Sequence, residues 1–146
     1  MRRFVLTALL LASSAWAADM SPAPEIKPAA ADPLAAPRRL IAVKDWAGAL
    51  VALRAEPQAG NADWHNLMGY TLRKQAPPQF GEAEAQYLQA LRIDPNHRGA
   101  NEYLGELHVM KGELPKARER LAVLEKLCPA GCEQRDDLQR AIAAAR

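Results

Sequence analysis

Several residues recur at a spacing of 34 along this 146-residue chain. Trp46, Phe80 and Leu114 form one set, and Ala49, Ala83 and Ala117 a second. Leu53, Tyr87 and Leu121 form a third, and Pro95 and Pro129 keep the same interval. A fixed period of this length means that one supersecondary unit is repeated, each copy burying its apolar face only against its neighbours. Within each unit the apolar residues follow the i, i+3, i+4, i+7 rule of a single helix face. Trp46, Ala49, Leu50 and Leu53 obey it, as do Trp64, Leu67, Met68 and Leu72. So do Ala83, Tyr87, Ala90 and Leu91, then Ala100, Tyr103, Leu104 and Leu107, then Ala117, Leu121, Leu124 and Leu127. No segment alternates as a strand does. Asn61, Pro77-Pro78, Asp94-Pro95-Asn96 and Pro129-Ala130-Gly131 punctuate the helices. Abundant Ala and an aromatic content of only 5% agree with an all-α chain.

At these residues the chain resembles the tetratricopeptide repeat (TPR) family of helix–turn–helix units. One repeat runs from Ala62-Asp63-Trp64-His65-Asn66-Leu67-Met68-Gly69-Tyr70 through Phe80, Ala83, Tyr87 and Ala90, over about 62–97. The next runs from Asn101-Glu102-Tyr103-Leu104-Gly105-Glu106-Leu107 through Leu114, Ala117, Leu121 and Leu124, over about 98–131. Gly69 and Gly105 are 36 apart, and the two extra residues fit a longer turn at Ala76-Pro77-Pro78. A degenerate repeat precedes them at about 34–58, with its first helix expected to begin near Pro37. Residues 133–146 are expected to form a capping helix with Leu138, Ala141, Ile142 and Ala145 on its apolar face. Its polar face would carry Arg135, Asp136, Gln139, Arg140 and Arg146. The resemblance implies a short TPR-like solenoid.

The start of the chain reads differently. Met1-Arg2-Arg3, an apolar run from Phe4 to Leu11 and Ala15-Trp16-Ala17 have the order of a secretory signal peptide. The apolar run is well short of the ~20 residues that span a bilayer. Removal of residues 1–17 predicts an exported protein without stable membrane insertion, periplasmic if the source is Gram-negative. Residues 18–33 hold four prolines and read as a flexible tether. Losing Arg2 and Arg3 reduces the formal charge from +2 to neutrality. A neutral chain lacks the Lys/Arg surplus of a general nucleic-acid binder.

In the TPR family the first helix of each repeat lines a concave groove. Position by position, the resemblance implies a partner-binding groove built from Asp63, Asn66, Tyr70, Arg73, Glu102 and Glu106, with Lys74 and Val109 beside them. Such a mixed lining suits a protein or peptide segment. Glu102 and Glu106 argue against the family's carboxylate clamp, which uses Lys and Asn. Cys128 and Cys132 flank Pro129-Ala130-Gly131. In an exported protein this pair predicts a structural disulfide, with a metal site or a thiol-redox role as alternatives. His65, His97 and His108 show no ligand spacing, and no cofactor or metal is expected. Phosphate-loop and nucleophile-elbow motifs are absent, and the only serines are Ser13, Ser14 and Ser21. The expected function is therefore a non-enzymatic interaction module or adaptor. The alternatives are a metal or thiol-redox accessory protein and a self-associating structural subunit.

Overall fold

The computed structural model describes residues 32–145. The expected leader, residues 18–31 of the tether and Arg146 lie outside the described residues. Seven helices and no strand occur among the described residues. They are α1 (Ala35–Ala42), α2 (Trp46–Ala55), α3 (Ala62–Lys74), α4 (Phe80–Ile93), α5 (Arg98–Met110), α6 (Leu114–Leu127) and α7 (Glu133–Ala144). Trp46, Phe80 and Leu114, the 34-residue set, are the first residues of α2, α4 and α6. Ala49, Ala83 and Ala117 are each fully buried, and their small side chains let the paired helices approach closely.

Local chemistry sets the helix starts. Asp45 caps α2 by accepting from Gly48 N–H at 2.9 Å. Asn61 caps α3 by accepting from Asp63 N–H at 3.0 Å. His97 caps α5 through Nδ1, which accepts from Ala100 N–H at 3.0 Å. That fixes its own N–H on Nε2, which donates to Asp63 Oδ1 at 2.9 Å. Pro115 sits in the first turn of α6, where a missing N–H costs nothing. Helix α1 starts at Ala35, two residues before the expected Pro37, which is buried in its first turn. Helix α7 ends at Ala144, and Ala145, expected on its apolar face, is exposed beyond the helix.

The turns explain the change of period. Three-residue turns at 43–45 and 111–113 close the first and third hairpins. Each has a left-handed residue two places before the next helix, Lys44 at φ 60° and Gly112 at φ 75°. The corresponding place before Phe80 is Pro78, whose ring holds φ negative. The tight turn is closed to it, and the middle hairpin uses five residues, 75–79.

The helices pack as consecutive pairs, α1 with α2, α3 with α4 and α5 with α6, and α7 covers α5 and α6. Helices α1, α3, α5 and α7 also touch in sequence and form one layer. Helices α2, α4 and α6 form the other, with their backbones set farther apart. Two polar ties join successive pairs: Trp64 Nε1 donates to Leu53 C=O at 3.1 Å, and Gln75 Nε2 to Trp46 C=O at 2.9 Å. The main core gathers Leu34, Leu50, Leu53, Trp64, Met68, Leu72, Tyr87, Leu104 and Leu107. A second core under α7 joins Leu138 and Ile142 to Ala117 and Leu124, with Val109 and Leu121 at its edge. Cys128 and Cys132, at the turn into α7, stand at disulfide distance with an S–S separation of 2.09 Å.

The two matching glycines are not equivalent. A Cβ on Gly69 would meet the Tyr87 ring at 2.7 Å and the Ala83 carbonyl at 3.0 Å. At Gly105 the nearest atoms to a Cβ would be those of Leu138, at 2.5 Å from a terminal methyl. Leu138 is a buried side chain that must repack to make room, whereas at Gly69 the backbone carbonyl of α4 itself stands in the way. Gly69→Ala is expected to cost about 1–3 kcal/mol by overpacking. Gly105→Ala is expected to cost less, because the nearest atoms there belong to one side chain and not to a backbone carbonyl, while alanine's helix propensity offsets ~1 kcal/mol at both positions. Urea unfolding of the two variants checks the order; equal losses would contradict it.

Candidate functional site

Asn66, Tyr70 and Arg73 are spaced i, i+4, i+7 on α3, and Glu102, Glu106 and Val109 repeat that spacing on α5. Adjacent packing of α3 and α5 puts the two rows side by side. Arg73 is the joint between them. Its guanidinium lies 2.7 Å from the Glu106 carboxylate and is 5.5 Å and 5.4 Å from the ring centroids of Tyr70 and Tyr103. The two tyrosine rings are themselves 4.7 Å apart. Trp46 meets Tyr70 edge-on at 5.9 Å, and Tyr87 lies 6.2 Å from Tyr103. Four helices thus contribute aromatic rings to one cluster around the Arg73 guanidinium.

Arg73 is only 3% exposed, so the structure turns this expected groove residue inward. Burial works against its charge, but Tyr87, Glu106 and Tyr70 more than offset that and raise its pKa. Tyr70, half-buried, presents the accessible part of the cluster, with the Lys74 ammonium 5.5 Å from its ring centroid. Val109 belongs to the second core. Asp63 stands apart from the aromatic cluster, bonded to Arg38 at 3.2 Å and to His97. It lines a cleft of about 660 Å³ at the N-terminal ends of α3, α5 and α7, together with His97, Gly99 and Glu133.

Glu102 is the anomaly of the face. It is buried, yet forms no hydrogen bond or ion pair among the described residues. Burial pushes its carboxyl up to about 7, and the Glu106, Asp137 and Glu133 carboxylates add to the push, against Arg73 alone. Burial, followed by Glu102, raises the Tyr103 hydroxyl to about 12. Burial also raises Tyr70 and Tyr87, and the Tyr87 hydroxyl has no hydrogen-bond partner. Asn66, in the register of Glu102 one repeat earlier, is buried with its Oδ1 unpartnered. Glu133 and Asp137, both from α7, complete the face without having been read as groove residues, and Tyr103 joins it although its spacing marked it only as part of an apolar stripe. Asp137 lies 35 residues after Glu102, nearly one period on, and that interval was the available signal.

One group of side chains away from this face has metal-ligand character. Single ligand atoms of Glu84, His108 and Glu113 lie within 4.8 Å of one another. Lys111 already bridges the two glutamates, at 2.6 Å and 3.3 Å, and Lys116 adds a contact to Glu113 at 3.2 Å. These contacts make the group an ion-pair network; His108 first, then Lys116, holds the Glu113 carboxyl down at about 2. Cys128 is buried and its sulfur is committed to Cys132. No protein-family model matches the chain, and no curated protein matches it in sequence.

The buried Glu102 charge gives a pH prediction. Unfolded, the carboxyl titrates near 4.5; folded, at about 7. Its contribution to stability is therefore fully present below 4.5 and lost as pH rises through 7. Glu102→Gln removes the ionisation and is expected to stabilise the protein by about 1–3 kcal/mol at high pH and by little in acid. Denaturant unfolding at pH 4 and pH 8 measures this difference; a gain independent of pH would contradict it.

Proposed function

We propose that this chain is a small TPR-like helical-repeat module that holds a protein or peptide against the α3–α5–α7 face. The observation that carries the reading is the unequal contact of the two layers. The backbones of the first helices approach one another more closely than those of the second helices, which supports a stack curved toward the α1, α3, α5, α7 layer. The matching starts of α2, α4 and α6 support a TPR-like repeat. Tyr70 gives that inner layer a half-exposed aromatic anchor, of the residue type that dominates interfaces. Arg73 contributes by fixing Tyr70 rather than by reaching a partner. The leader pattern of residues 1–17 supports export, with the periplasm as destination in a Gram-negative source. The commitment of Cys128 to Cys132 favours a structural use of the pair over a thiol-redox one.

The test is a photo-cross-linking residue placed in turn at Tyr70 and at Glu125, an exposed residue of α6. The expected outcome is a discrete cross-linked partner from position 70 and none from position 125. Tyr70→Ala should weaken retention of that partner by about 1–2 kcal/mol. Cross-linking from 125 with none from 70 would move binding to the opposite layer and overturn the proposal.

A further inference from the structure

We draw no further inference here: the strongest candidate, the cavity of about 240 Å³ that Leu88 of α4, His108 of α5 and Arg120 of α6 line, carries nothing, because Glu84 and Lys116 in its walls are already paired with Lys111 and Glu113 and nothing in the structure shows what covers it.

Discussion

A single buried guanidinium organises the face on which a function can be argued. Arg73 reaches from α3 to Glu106 on α5 and lies against the rings of Tyr70 and Tyr103. Removing one partner of such a pair leaves an uncompensated buried charge, a loss of about 3–5 kcal/mol in comparable sites. The ring faces add to the hold, since cation–π contacts strengthen when water is excluded. Two consequences follow in opposite directions. Tyr70 is fixed on a rigid base, which prepares it for contact. Glu106 is used up, and Glu102 is left without a counter-charge one turn away.

The same economy of packing runs through the rest of the fold. Three fully buried alanines, Ala49, Ala83 and Ala117, let the helices of each pair approach. Gly69 does the same for the Tyr87 ring. Because these small residues recur at one interval, the hairpins stack in register, and the rows on α3 and α5 come to lie side by side. Leu138 and Ile142 of α7 then cover the last hairpin, over the core formed by Ala117 and Leu124.

The fold was legible where the signal was a repeated interval. Trp46, Phe80 and Leu114 mark helix starts because each unit meets the same packing problem at the same place. The lengthened middle turn was legible as well, since Pro78 forbids the left-handed residue that Lys44 and Gly112 supply. The site was legible only as a set of positions. Spacing puts Asn66, Tyr70, Arg73, Glu102 and Glu106 on one face, but it carries no information on which side chain turns inward. Arg73 is buried because two rings and a carboxylate receive it, and those come from three different helix positions. Asp63 lies at the helix N-terminus, where Arg38 and His97 claim it. Glu133 and Asp137 were read only as part of a cap, because α7 lacks the repeat's marker residues. Their contribution to the face follows from the contact between α5 and α7.

A double-mutant cycle on Arg73 and Glu106 tests the joint between the two rows most directly. Arg73→Met, Glu106→Gln and the double variant are unfolded in urea at neutral pH. If the pair holds α3 to α5, each single change is more damaging than its share of the double change, with a coupling of about 1–3 kcal/mol. Effects that add to within about 0.5 kcal/mol would contradict a shared joint and detach Tyr70 from the support on which the proposed binding face depends.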